Sequence, residues 1–416
     1  MSITTNKRIS KEKEVFMAIC LLSGIISNQT VRRMKKDWGD NKVKNGIIQT
    51  LKSDGYLTKI GSLTFDYGYQ LTPEGLEYMK VKFPNKYNYS LYAESTAYKY
   101  KETTKERGYQ SSMVLYTLYK MGVSLTDHNS EASNIFNGYE QEIAKPFFLT
   151  SKEVKSLNIR FRSLYGDRAY GFIFSTNKII AVYAPDKEHN LLVSRERRLI
   201  SAITNVLKYA KPPYNNPQSY EVLYLYNSFD DIVDSFSMVN KINKRQAATR
   251  RVYDDFKFKH SHICLMENNP YSIWDILDEG YKDEVDDVFW EYYNLEEHHI
   301  NKVNAIYVKA KRITSENKRR PTVICWDLSP SAIVSTIAYC IERYGEADKK
   351  GHKAGETELD GEISDEKILF LCFKEQAHVL EEIIKLNKIS FKHIIVGSLS
   401  STSVYDYLEG KIDHIS

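Results

Sequence analysis

The chain has 416 residues, 42% apolar and 12% aromatic, which is ample material for packed cores, rules out a disordered protein and calls for two or three domains. Net charge is only +4, yet residues 1 to 108 hold 19 Lys or Arg against 11 Asp or Glu, a net of +8 that marks the N-terminal part as the place for a polyanionic partner. No run reaches the roughly 18 apolar residues that a membrane-spanning helix needs, and Lys7, Arg8, Lys11 and Lys13 lead into an apolar stretch that the first helix requires, so neither membrane nor secretory leader is expected.

Glu14 to Leu22 reads as a helix with Val15, Phe16, Ile19 and Leu22 on adjoining turns, stopped by Ser23-Gly24. Ser27 is suited to cap a second helix, because its hydroxyl can accept from an N–H group left orphaned in the first turn. Val31 and Met34 of that helix point inward, while Arg32, Arg33, Lys35 and Lys36 are placed on its outer side. Gly39 breaks it, and a third helix runs from Asp40 to Ser53, closed by Asp54-Gly55. At roughly 100° per residue, Val43, Ile47 and Leu51 share the inward stripe. Lys42, Asn45, Gln49 and Lys52 fall opposite, with Asn41 beside them. These residue types reach phosphates and base edges, Asn and Gln pairing in bidentate fashion with adenine.

Two strand-like runs follow, Tyr56 to Ile60 and Tyr67 to Leu71, and the first carries Lys59 as a further phosphate contact. Thr72-Pro73-Glu74-Gly75 then starts a helix, with Thr at the cap and Pro where its missing N–H costs nothing. The stretch GYLTKIGSLTFDYGYQLTPEGLEYM resembles the winged helix-turn-helix superfamily, in which a recognition helix is followed by a hairpin wing and a further helix. The resemblance spans residues 11 to 83 and implies that the third helix enters a DNA groove, with Arg32, Arg33, Lys35, Lys36, Asn41, Lys42, Asn45, Gln49, Lys52 and Lys59 as DNA contacts.

Beyond Phe83 the sequence suggests two helices, Leu91 to Arg107 and Ser111 to Met121, that either pair two protomers or join domains. From Pro146 onward, short apolar runs alternate with helical patterns. Arg168 to Phe174 and Lys178 to Tyr183 read as a hairpin about Ser175-Thr176-Asn177, and Ser194 to Lys208 as a helix. Strands are expected at Glu221 to Tyr226, His260 to Met266, Val303 to Lys309, Thr322 to Trp326, Lys367 to Phe373 and Lys392 to Val396. Helices are expected at Pro330 to Tyr344 and Gln376 to Leu386, and a charged surface loop over residues 346 to 366. The fold class is therefore α/β: a winged helix-turn-helix over residues 1 to 84, linking helices over 85 to 145, and a larger α/β region with a mixed sheet over 146 to 416, divisible near 215.

Signatures of chemistry are sparse. No Gly-rich phosphate loop occurs, Gly397 to Ser401 reads as an ordinary strand-end turn, and Asp327-Leu328-Ser329-Pro330 as helix capping. His260, His262 and Cys264 alternate along one strand face, with Glu296, Glu297, His298 and His299 as further zinc donors, but their spacing matches no zinc fold. The five cysteines are isolated, as in a reducing cytosol, and neither metal nor cofactor is expected. A restriction-like nuclease would need an acid on one strand and Glu-x-Lys on the next, and Lys178-Ile179-Ile180-Ala181-Val182-Tyr183 lacks it.

With GDRAYGFIFSTNKIIAVYAPD and the SRERRL helix, residues 11 to 210 resemble proteins of plasmids and conjugative elements in low-GC Gram-positive bacteria, and the replication-relaxation family. That likeness implies a mobile-element protein that pairs the winged helix with a restriction-endonuclease-like domain, which the missing Glu-x-Lys marks as inactive. Two basic clusters, Lys241 to Arg251 and Lys309 to Arg320, read as a DNA track or as solvated surface. The expectation is a cytoplasmic, sequence-specific duplex DNA-binding protein serving regulation, replication or transfer. Its α/β region would be a non-catalytic assembly or sensing domain, open to protein partners. A DNA-acting nuclease or nicking enzyme and a small-molecule-responsive regulator remain as alternatives.

Overall fold

The computed structural model describes residues 9–61, 66–90, 102–157, 169–185, 199, 202–203, 205–215, 220–228, 231, 261–266, 279–293, 295–297, 308–313, 319–325, 367–386 and 394–415. The expectations for the hairpin tip 62–65, the helix before residue 102, the cluster 241–251, His260, His298, His299, the segment 326–350 and the loop 346–366 lie outside the described residues. The side chains of His262 and Cys264 lie outside them too.

The chain forms two units, the first built mainly from residues 1–184 and 198–219, the second mainly from 220–265 and 274–416. In the first, α1 (Lys11–Ser23) ends at Gly24, whose φ of 77° lets the chain turn where an L side chain would be strained. A two-residue strand β1 (Ile26–Ser27) leads into α2 (Asn28–Trp38), and the Ser27 hydroxyl accepts from the Thr30 N–H at 3.1 Å. Helical structure resumes beyond Gly39 as a π-helical segment π1 (Lys42–Gln49) and a closing α-turn α3 (Thr50–Ser53). The hairpin strands β2 (Leu57–Gly61) and β3 (Asp66–Leu71) pair antiparallel, β1 joins the other edge of β3, and α4 (Pro73–Lys82) follows with Thr72 as its cap. Phe16, Ile19, Val31, Met34, Val43, Ile47, Leu51, Leu57, Leu71 and Met79 form the core beneath these elements.

The short helix α5 (Pro84–Asn88) is fixed at its start by Asp127, which accepts from the N–H groups of Asn85 and Lys86, each at 3.0 Å. Helix α6 (Glu102–Lys120) is continuous across residues 108 to 110, where the sequence reading separates two helices. Close packing explains the difference. A Cβ at Gly108 would lie 2.8 Å from Ile25 Cγ2, so this glycine marks where α6 crosses the α1 to β1 turn and does not break a helix. Residues Ser112 to Leu118 of α6 are all buried.

The unit is completed by α7 (Asn129–Phe136), β4 (Phe147–Thr150), α8 (Ser151–Leu157), β5 (Gly171–Phe174) and β6 (Ile179–Tyr183), the three strands forming an antiparallel meander. Every residue of β5 and β6 is buried, as their unbroken apolar sequences require. One charged pair lies inside. Lys86 Nζ sits 3.0 Å from Glu153 Oε1 and donates to the Phe148 carbonyl at 2.7 Å, while Glu153 also accepts from the Thr150 N–H.

In the second unit, β7 (Tyr220–Tyr226) pairs parallel with β8 (Ser261–Leu265). A mixed sheet follows in the order β13-β12-β11-β10-β9, made of β9 (Leu295–Glu297), β10 (Val308–Ile313), β11 (Arg319–Cys325), β12 (Lys367–Phe373) and β13 (Ile394–Leu399). Pairing is antiparallel among β9, β10 and β11 and parallel from β11 through β13. Helices α9 (Glu279–Tyr292) and α11 (Ser401–Leu408) bury Val288, Phe289 and Val404 against Leu369, Leu371 and Leu399. A third helix, α10 (Lys374–Leu386), links the two parallel strands β12 and β13. The class is α/β with mixed pairing, as the sequence implies. Two placements differ from the sequence reading. Lys311 and Arg312 lie within β10, and Arg319 and Arg320 within β11, so these two strands reach further toward each other than the runs 303 to 309 and 322 to 326 imply. Gly397 to Leu399 are strand, and Ser400 caps α11 by accepting from the Ser403 N–H.

Candidate nucleic-acid interface

Local geometry in the third helical segment follows from its wider turn. In a π-helix the backbone bonds reach five residues ahead, so Ile48 turns inward beside Ile47 and joins Val43 and Leu51 in the core. The opposite side is polar and open to solvent: Asn41, Lys42, Lys44, Asn45, Gln49 and Lys52 are all exposed. Lys59 on β2 is exposed as well, as are Arg32 and Lys36 on α2, while Lys35 is half-buried.

Arg33 departs from the expected outer face: it is 9% exposed. Its charge reaches the Tyr116 phenol, in the seam where α6 packs on α2. That seam is polar and specific. Tyr116 donates to Asp37 at 2.8 Å, Lys120 pairs with Asp37 at 3.1 Å, and Trp38 meets Tyr116 and Tyr119 edge-on. Ser112 Oγ lies 2.8 Å from Thr30 Oγ1 and accepts from the Ser27 N–H, so α6 holds the very cap from which α2 begins. Desolvation, followed by the Asp37 hydrogen bond, pushes the Tyr116 phenol well above its ordinary range, which keeps it a neutral donor.

Several groups on the exposed face already have partners. Lys42 Nζ is 2.9 Å from Glu12 Oε1, Lys35 is 2.8 Å from Asp40, and Asn45 donates to Asn41 at 2.5 Å. The Lys42 hydrogen bond holds the Glu12 carboxyl below the usual range, and Lys35 does the same for Asp40. Arg32, Lys44 and Lys52 make no ion pair among the described residues. Glu12 and Asp40 are not legible as partners in the sequence, because neither spacing, 30 residues and five, is a same-face helical interval. Ser112 and Tyr116 were likewise not foreseen, since long-range packing alone brings them to α2.

In comparisons with protein-family models, curated proteins and solved structures, nothing matches this chain. Among the described residues, no helix is long and apolar enough to cross a membrane, and no three His, Cys, Asp or Glu side chains are grouped to hold a metal ion.

Proposed function

We propose that the chain binds duplex DNA through its N-terminal unit, which acts as a winged helix-turn-helix with the Lys42 to Ser53 segment as its recognition helix. The observation that carries the reading is the division of this segment. Val43, Ile47, Ile48 and Leu51 are buried, while Lys42, Lys44, Asn45, Gln49 and Lys52 present donors and amides to solvent. Such a face offers cations to phosphates and paired amide groups to base edges. The order of helices, β1 paired on β3, and the β2–β3 hairpin support the reading, since the hairpin lies directly after the recognition segment and carries exposed Lys59. Arg32 and Lys36 on α2 would neutralise flanking phosphates. Arg33 is withdrawn from the contact set, because its burial removes it from any such face.

The second unit and the β4–β6 meander are proposed as a non-catalytic assembly or sensing part of a mobile-element protein. The sequences of β5 and β6, GFIF and IIAVY, contain no carboxylate that could gather a catalytic metal.

The test is a selection from random duplexes followed by titration, comparing the wild type with a variant in which Lys42, Asn45 and Gln49 are all alanine. The wild type should enrich a defined site, and the variant should lose its preference for that site over scrambled duplex, by about 1 to 3 kcal/mol for each bidentate contact removed. Equal preference in both proteins would overturn the recognition-helix assignment.

A further inference from the structure

At the turn between α6 and α7, four side chains outside the DNA-binding face form a directed chain. Ser124 Oγ lies 3.1 Å from His128 Nε2, and His128 Nδ1 lies 3.1 Å from Glu131 Oε1. Ser130 donates to the other Glu131 oxygen at 2.7 Å. With Glu131 accepting from Nδ1–H, the imidazole presents Nε2 as an acceptor to the serine, which is the tautomer a general base requires. Although burial opposes it, hydrogen bonds from Ser130, the Glu131 backbone and His128 hold the Glu131 carboxyl below its ordinary range and therefore ionised.

The parts are also held in place. Ser124 sits in extended backbone bonded on both sides to the chain around β4: its N–H donates to the Pro146 carbonyl at 2.8 Å and its carbonyl accepts from the Phe148 N–H at 2.9 Å. The His128 ring stacks on Phe147 at 4.7 Å, which fixes its plane. Thr126 Oγ1 approaches both Ser124 Oγ, at 2.9 Å, and His128 Nε2, at 3.2 Å. Its exposed position makes it the less constrained hydroxyl, suited to donate to Ser124 and leave the Ser124 proton for the imidazole. His128 and Glu131 side chains are 25% and 31% exposed, so a small reagent can reach them.

We propose that Ser124, His128 and Glu131 form an activated-serine site that takes the acyl group of small carboxylic esters. Ser124 Oγ attacks the ester carbonyl while its proton passes to His128 Nε2, and Glu131 stabilises the imidazolium. The carbonyl carbon then parts from the alcohol oxygen, which takes the proton from Nε2, and the acyl group stays on Ser124. Water, deprotonated by His128, releases it as the carboxylic acid and restores the serine. The half-open setting suits small esters and small phosphonylating reagents.

The test is covalent capture by diisopropyl fluorophosphate on the folded full-length chain, read by intact mass and by the modified peptide. One equivalent should add at Ser124, with none on Ser124→Ala, and His128→Gln should slow addition by at least about a hundredfold, the lower end of what a positioned base contributes. Thr126→Ala should still react. Melting curves establish that each variant is folded, and heat-unfolded wild type should not react. A lack of adduct on the native chain, an adduct on Thr126, or an unchanged rate in His128→Gln would each overturn the proposal and leave the network as a brace for the start of α7.

Discussion

At the scale of single residues, the surface proposed for DNA is already engaged with itself. Lys42 is bound to Glu12 and Asn45 to Asn41, so a duplex must displace these contacts before it gains its own. Exposed ion pairs contribute little, so the barrier is small but has a definite sign. Glu12→Gln should strengthen DNA binding by about two- to fivefold, corresponding to a pair worth up to about 1 kcal/mol, and fluorescence anisotropy would measure it. Weaker binding by that variant would contradict the placement of Lys42 on the contact face. The Lys86–Glu153 pair is the opposite case, with side chains only 1% and 0% exposed. Lys86→Met leaves a buried carboxylate without its counter-charge and should cost about 3 to 5 kcal/mol in denaturant unfolding. Adding Glu153→Gln to that variant should restore part of the loss. Cys20 gives a simpler check. Full burial pushes its thiol far above the ordinary range, so Cys20 should resist iodoacetamide in the native chain and react on unfolding, as peptide mapping would record.

At the scale of elements, caps and turn glycines were the most legible features. Ser27 and Thr72 cap the helices assigned to them, and Gly24, Gly39 and Gly55 stand with positive φ at the expected breaks. These signals are local, so a sequence carries them in full. Ser27→Ala should cost about 1 kcal/mol from the lost cap, and more where Thr30 and Ser112 lose a shared partner. Thermal unfolding would show it, and a neutral result would mean that the Ser112 contact does not depend on Ser27. Features set by distant packing were hidden. Gly108 stands within α6 because of its close approach to Ile25, and Arg33 is buried beside an α6 seam that starts some 80 residues further along the chain. The π-helical turn that brings in Ile48 also escaped a reading made at α-helical periodicity. In the second unit, the strand expected over residues 303 to 309 lies outside the described residues up to 307 and runs on to Ile313, an extension hidden because Lys309-Ala310-Lys311-Arg312 is too basic to stand out as an apolar run.

At the scale of the whole molecule, positive charge is concentrated in the first quarter of a chain that is otherwise slightly acidic. Under the proposed function that end would meet the DNA, and the binding should carry the salt signature of released counterions. The most direct measurement is the affinity of the full-length chain for a duplex across a salt series. On the proposed reading, the exposed Arg32, Lys36, Lys44, Lys52 and Lys59 would supply up to five phosphate contacts. The logarithm of the affinity should therefore fall against the logarithm of salt with a slope of about −3 to −5, and Lys44→Ala with Lys52→Ala should make it shallower by about 2. A flat salt dependence, or a slope unchanged in the double variant, would contradict DNA binding through this face.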